Sequence, residues 1–246
     1  MSANKTASLT RMVMPNHTCP YGIKSKWLLE KSGYRVEDHW LTTREEVDTY
    51  KREQGVETTP QTFIDGERIG GYTDLRAFLR KPLPAAGATS YTPVLVVFAV
   101  SALLAMAASY HAFGAALTVP AGEWFVAFAM VILAMLKLQD IEKFSSMFLG
   151  YDLLARRWVP YAYAYPFLEA GAGVLMAAHA LDWLSIPVAL FIGTIGAVSV
   201  FCTVYIQKRE IKCACVGGSS NVPLGFVSLS ENLAMIAMAV WMLVHL

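Results

Sequence analysis

Four cysteines in three settings carry the chemistry open to this 246-residue chain. Cys213 and Cys215 flank one alanine in Lys212-Cys213-Ala214-Cys215-Val216-Gly217-Gly218, between two long apolar runs. Two thiols at this spacing can close a small, strained and easily reduced disulfide. They can also offer two thiolates to a soft metal such as Cu(I), Zn or Hg. Cys19 stands in Asn16-His17-Thr18-Cys19-Pro20-Tyr21-Gly22, where a short apolar run gives way to helical spacing. A cysteine at such a junction faces the positive end of the helix dipole, which favours the thiolate, the nucleophilic form. Lys24 and Lys26 add positive charge nearby. Cys202 lies in an apolar stretch eleven residues before Cys213 and reads as a small core residue.

The elements that position Cys19 are legible in residues 1–81. Leu9–Met14 reads as a strand, and Ile23–Ser32 as a helix with Trp27, Leu28 and Leu29 on one side. Arg35–Leu41 reads as a second strand. Thr43–Gln54 reads as a charged helix, with Thr42 or Thr43 as N-cap and Glu45 or Glu46 completing a capping box. Thr62–Ile64 leads through Asp65-Gly66, a strong hairpin signal, into Arg68-Ile69. After Gly70-Gly71 the chain closes with a helix over Thr73–Leu79. The order β-α-β-α-β-β-α is that of a thioredoxin-like fold.

Cys19-Pro20-Tyr21-Gly22, Lys26, Thr59-Pro60 and Gly70-Gly71-Tyr72-Thr73-Asp74-Leu75 together resemble the glutaredoxin family over about residues 9–81. The resemblance implies that Cys19 is the nucleophile forming a mixed disulfide with glutathione. It also implies that Pro60 is cis and that Thr59 pairs with glutathione through its backbone. Thr73-Asp74 would hold the γ-glutamyl end, with Tyr21, Lys26 and Gly71 completing the site. Dithiol members have Cys where this chain has Gly22, so Cys19 has no resolving thiol in its own domain. Asn16 also replaces a basic residue common three positions before the nucleophile. Pro20 departs from the tetrapeptide with which monothiol members assemble iron–sulfur clusters.

Charge separates the two halves of the chain. Residues 1–81 carry 13 Lys/Arg and 11 Asp/Glu, and residues 82–246 carry 7 and 8. The net charge of +1 says little about partners, and nothing calls for nucleic acid. Residues 82–91, rich in Pro and Ala, read as a linker reaching about 35 Å when extended. Five apolar stretches follow, at about Thr92–Leu117, Gly122–Leu138, Val159–Ala180, Trp183–Ile206 and Val227–Leu246. Each is long enough for a hydrocarbon core of roughly 30 Å. The expectation is an α/β thioredoxin-like domain followed by an all-α transmembrane bundle of about five spans.

Met1–Leu9 is polar, without a hydrophobic signal region, so the first domain is expected in the cytoplasm. All seven Lys/Arg of residues 92–246, Lys137 among them, then fall on the same side as Cys213 and Cys215. This describes a multi-pass inner-membrane protein. Lys137–Arg157, with Phe144, Phe148 and Leu153, is expected to include a helix lying at the interface. Glu169 is an intramembrane carboxylate, sharing a helix face with Tyr161, Tyr165 and Gly173. It stands as a functional-site candidate or as a hydrogen-bonded clasp between helices.

Lys137-Leu138 with Asp140, Pro166-Phe167-Leu168-Glu169 and Cys213-Ala214-Cys215-Val216-Gly217 resemble the MauE family, distant in pattern from DoxX-type proteins. That family typically carries Cys-Gly-Cys-Phe-Gly at the last position. The resemblance implies redox maturation chemistry. The expected function is a glutathione-dependent membrane thiol–disulfide oxidoreductase in which Cys19 exchanges with Cys213-x-Cys215. The alternative is a transporter or handler of a thiophilic metal or thiol-conjugated solute, with Cys19, Cys213 and Cys215 passing the soft ligand and Glu169 lining a path. A third possibility is an anchored glutaredoxin beside an inert bundle. Expected partners are glutathione, the lipid bilayer, and a redox partner protein or thiophilic metal.

Overall fold

The computed structural model describes residues 5–83, 88–214 and 222–245. The chain divides into two compact units, Met1–Ala86 and Gly87–Leu246.

In the first unit, β1 (Lys5–Met14) is the central strand. It pairs in parallel with β3 (Tyr34–Leu41) and antiparallel with both β2 (His17–Thr18) and β4 (Gln61–Ile64). β5 (Glu67–Gly70) completes the sheet against β4. β1 begins four residues before the apolar run, because its start is held by β3 from Lys5 on and also by β4 from Ala7 on. Helices α1 (Pro20–Lys31), α2 (Arg44–Gln54) and α3 (Tyr72–Phe78) complete the expected order, with β2 as a short addition.

Local chemistry explains the boundaries. Pro20 occupies the first turn of α1, where its missing N–H costs nothing. Thr43 caps α2 by accepting from the Glu46 amide, and the Glu46 carboxylate accepts from the Thr42 amide at 2.6 Å. Asp65 and Gly66 both take positive φ, 51° and 79°, as the hairpin turn requires. Ala7, Leu9, Leu28, Leu29, Ile64 and Leu75 form the core. Trp27 departs from expectation: it is 57% exposed, with Lys31 lying over its ring, while Leu28 and Leu29 turn inward.

The second unit is helical. Its elements are α4 (Thr92–Phe113), α5 (Val119–Leu138), α6 (Ile141–Phe148), α7 (Val159–Ala178), α8 (Asp182–Phe201) and α9 (Phe226–Val244). α8 runs on into a π-helical turn over Cys202–Ile206. Four helices among the described residues are long and apolar enough to cross a membrane: α4, α5, α8 with its extension, and α9. α7 has 20 residues, a length of about 30 Å, but its tyrosines and Glu169 make it less apolar. It packs between α5 and α8, which shield those groups. Close approach to α5 is possible because Gly173 faces the Ala127 carbonyl, where a β-carbon would sit 2.9 Å away.

α6 does not behave as an interfacial helix. Phe144 and Phe148 are 1% and 3% exposed; inside the bundle Phe144 stacks on Tyr165 of α7 and Phe148 packs on it at a tilt. The segment folds inward because these rings pack against Tyr161 and Tyr165 at the N-terminal end of α7. The same end holds the cysteine loop: Thr203 donates to the Tyr151 carbonyl, and Arg209 to the Gly150 carbonyl.

Candidate functional site

Cys19 is the N-cap of α1 and 8% exposed. β1 holds it there: its amide donates to the Met12 carbonyl at 3.1 Å, and its carbonyl accepts from the Ile23 amide. Its Sγ lies 3.9 Å from the Thr59 carbonyl, directly before the cis Thr59–Pro60 bond. Gly71 sits beside the Pro60 carbonyl, and its amide donates to Asp74 Oδ2 at 2.9 Å. Tyr21 is exposed, with its ring 5.9 Å from that of Tyr72. The structure thus gathers Cys19, Tyr21, Thr59, Pro60, Gly71, Thr73 and Asp74 around the N-terminal ends of α1 and α3. Lys26 is committed elsewhere, 3.0 Å from Asp38 Oδ2.

Beneath α1 lies a feature that sequence reading missed. Ala7, Leu9 and Arg11 alternate on one face of β1, so Arg11 takes a core position. Its guanidinium makes two bonds to Asp38, of 2.7 and 2.8 Å. A β-carbon on Gly22 would stand 2.8 Å from Arg11 Cβ and 3.0 Å from its Cδ. The position that carries a resolving cysteine in dithiol relatives is therefore filled from below by Arg11. Burial opposes ionisation of Asp38, but hydrogen bonds from Arg11, Trp40 and Lys26 prevail and hold its carboxyl well below the usual range. The bond to Asp38 raises Arg11 above its ordinary value. Burial opposes this, and the charges of Asp38 and Cys19 add to it. The signal was present in the sequence as a basic residue at an inward position of a strand.

In the helical unit Cys213 is disulfide-bonded and fully buried, whereas Cys19 and Cys202 are free. Cys215 lies outside the described residues. The Cys213 amide donates to the Val222 carbonyl, and its Sγ lies 2.9 Å from Ser228 Oγ on α9. A disulfide sulfur has no proton, so Ser228 is the donor there. The Tyr151 hydroxyl accepts from the Ala214 amide. Burial raises the Tyr151 phenol above its ordinary range, and the Glu231, Asp152 and Glu169 carboxylates raise it further. Burial also raises Asp152, whose carboxylate caps the Leu154 and Ala155 amides and accepts from Ser199.

Glu169 is fully buried, on the face it shares with Tyr161 and Tyr165. Lys137 Nζ lies 2.6 Å from both its oxygens and 3.1 Å from Glu231 Oε1, with the Tyr165 ring 5.3 Å away. This corrects the reading of Lys137 as a loop charge. It occupies the last turn of α5 and is 2% exposed, because two carboxylates from other helices offset its desolvation. Six Lys/Arg remain at the cysteine-loop end: Lys143, Arg156, Arg157, Lys208, Arg209 and Lys212. Glu231 was missed. Its signal was the one that marked Glu169: a carboxylate inside an apolar helix.

A thioredoxin-like sheet bearing a lone cysteine at a helix N-terminus, joined to membrane helices bearing a disulfide, defines a redox-related membrane protein. Residues 114–245 match the family model of methylamine utilisation protein MauE, and residues 8–69 match that of glutaredoxin. The chain belongs to the MauE family and carries a glutaredoxin domain before its membrane helices. It is 37% identical over 75 residues to glutaredoxin 1 of Escherichia coli (strain K12), covering 27% of this chain and 88% of that protein. Glutaredoxin 1 of Rickettsia prowazekii (strain Madrid E) is also 37% identical over 75 residues, covering 29% of this chain and 79% of the relative. No solved structure matches the chain significantly.

Proposed function

We propose that the protein is a glutathione-dependent thiol–disulfide oxidoreductase in which Cys19 serves the Cys213–Cys215 pair. The observation that carries this is the separation of roles: Cys19 is free and is the only thiol in its unit, while Cys213 is disulfide-bonded. A lone nucleophile needs a second thiol for resolution, and the membrane unit supplies a pair. Tyr21, Thr59, Pro60, Gly71, Thr73 and Asp74 form the glutathione site, and Lys26 stays paired with Asp38.

The exchange balances as follows. The Cys19 thiolate attacks Cys215, forming Cys19–S–S–Cys215 and releasing Cys213 as a thiolate. Glutathione attacks the Cys19 sulfur, freeing Cys215 and leaving Cys19 glutathionylated. A second glutathione releases oxidised glutathione and restores Cys19. Two glutathiones are oxidised and one disulfide is reduced. We take Cys215 as the sulfur attacked, because Cys213 is buried. The Ser228 hydroxyl then donates to the departing Cys213 thiolate.

Thr89, where the tether joins the helical unit, lines the same open cavity as Lys208, Lys212 and Pro223. A tether of about ten residues would raise the concentration of Cys19 at the loop to the millimolar range. The six Lys/Arg at this end favour a cytoplasmic orientation for the loop and the glutaredoxin domain in an inner-membrane protein.

The test is disulfide trapping in the full-length protein. Treatment of the Cys213→Ser variant with oxidised glutathione should accumulate Cys19–Cys215, seen as a gel shift that dithiothreitol reverses. The Cys215→Ser variant should accumulate far less Cys19–Cys213. No cross-link in either variant refutes the reading. Tight Hg(II) or Cu(I) binding that needs both loop cysteines, without a cross-link, would establish metal handling instead.

A further inference from the structure

One small cavity is shared by Lys137 and Glu231 of the charged cluster and by Ser228, whose hydroxyl lies beside the Cys213 sulfur. It is about 20 Å³, and its walls include Lys137, Tyr151, Tyr165, Ser228, Glu231 and Asn232. That volume admits one water, since a single site needs about 10–15 Å³. The cavity wall is polar where a water would need partners. The amide oxygen of Asn232, a residue 6% exposed, is buried and has no hydrogen-bond partner. Ser228, Glu231 and Asn232 follow one another at i, i+3 and i+4, on one face of α9. Ser228 touches both this cavity and the Cys213 sulfur.

Charge counting says what such a cluster can supply. Two carboxylates, Glu169 and Glu231, face one ammonium, Lys137. The group carries a net charge of −1 unless it takes up one proton, and a buried excess charge is costly. The other ionisable groups facing it are Tyr161 and Tyr165 on α7 and Tyr151 from the segment before α7. α4, α6 and α8 direct no charged side chain at it among the described hydrogen bonds and ion pairs. Reduction of the disulfide creates a thiolate at Cys213 in this enclosed site, and that thiolate needs a proton.

We propose that the Lys137–Glu169–Glu231 cluster stores a proton and delivers it from Glu231, through Ser228 and a cavity water, to Cys213 as its disulfide opens. The inference rests on the thiol-exchange reading above. One proton moves from the cluster to Cys213, bulk solvent refills the cluster, and no electron passes through these residues. Glu231 and Lys137 act on Cys213 only through Ser228 and are positioning residues.

The experiment follows single-turnover opening of the Cys213 disulfide in the full-length protein in lipid nanodiscs. Glutathione is the reductant in one arm and dithiothreitol in the other, from pH 6 to 9, with acid quench, alkylation and mass spectrometry. The wild-type rate should rise as the reductant ionises, then fall as the cluster loses its proton. In Glu231→Gln the rate should drop on the order of 100-fold, the lower end for general acid catalysis, and the descending limb should vanish. Glu231→Asp should retain the limb. Ser228→Ala should lose it with the cluster untouched, which decides the matter if Glu231→Gln does not fold. Rates scaled equally at every pH with the limb intact, or left unchanged, overturn the relay. The dithiothreitol arm needs no Cys19, so a normal limb there without a Cys19–Cys215 cross-link overturns the exchange reading alone.

Discussion

Gly22 lies in the first turns of α1, and replacing it with alanine should destabilise the glutaredoxin domain. Ordinarily Gly→Ala within a helix stabilises by roughly 0.5–1 kcal/mol, because the unfolded chain loses freedom. Here the new β-carbon would stand 2.8 Å from Arg11 Cβ. Carbon atoms settle about 3.5–4.0 Å apart, so a gap of roughly 0.7–1.2 Å must open. Arg11 Cβ cannot yield cheaply. It belongs to the central strand, and its guanidinium is held to Asp38 by two bonds. Overpacking of this kind costs about 1–3 kcal/mol. At mid-range values the net loss should be about 1 kcal/mol, or a fall in Tm of roughly 4–8 °C for a domain this small. The assay is thermal unfolding of residues 1–86 followed by circular dichroism. Gly22→Cys should lose at least as much, because the collision comes from the β-carbon and not from the thiol. A Gly22→Ala domain as stable as the parent, or more so, refutes the argument that Arg11 closes this position to a resolving cysteine.

Two further outcomes follow from the charged groups. The Asp38 carboxyl is held below its ordinary range in the folded state, so it contributes stability that is fully present above the unfolded value of about 3.9 and lost as pH falls towards the folded one. Urea midpoints of residues 1–86 should decline below about pH 4, and Asp38→Asn should flatten that decline while lowering stability at neutral pH; an unchanged acid limb in this variant would count against the assignment. Lys137→Met leaves Glu169 and Glu231 without their cation and should cost about 3–5 kcal/mol. Thermal aggregation in detergent measures it, and a variant as stable as the parent would show that the cluster does not hold the bundle together.

What the chain determined by itself is what near neighbours decide. The apolar-to-helical junction put Cys19 at a helix start. Asp65-Gly66 specified the hairpin because its turn needs positive φ at both residues. Thr43 and Glu46 set the start of α2 within four residues of chain. The long apolar runs announced membrane helices, since length and composition are enough for that. What only the tertiary structure decided lies between distant residues. Lys137 read as a loop charge until packing brought Glu169 from 32 residues away and Glu231 from 94. Phe144 and Phe148 read as an interfacial surface, because an apolar helical face does not say whether lipid or Tyr165 will cover it. Arg11 fills the space above which Gly22 must lie, and its partner Asp38 stands 27 residues on. A buried charge is tolerable only beside its counter-charge, and which helices or strands bring the two together is settled by packing, not by local spacing.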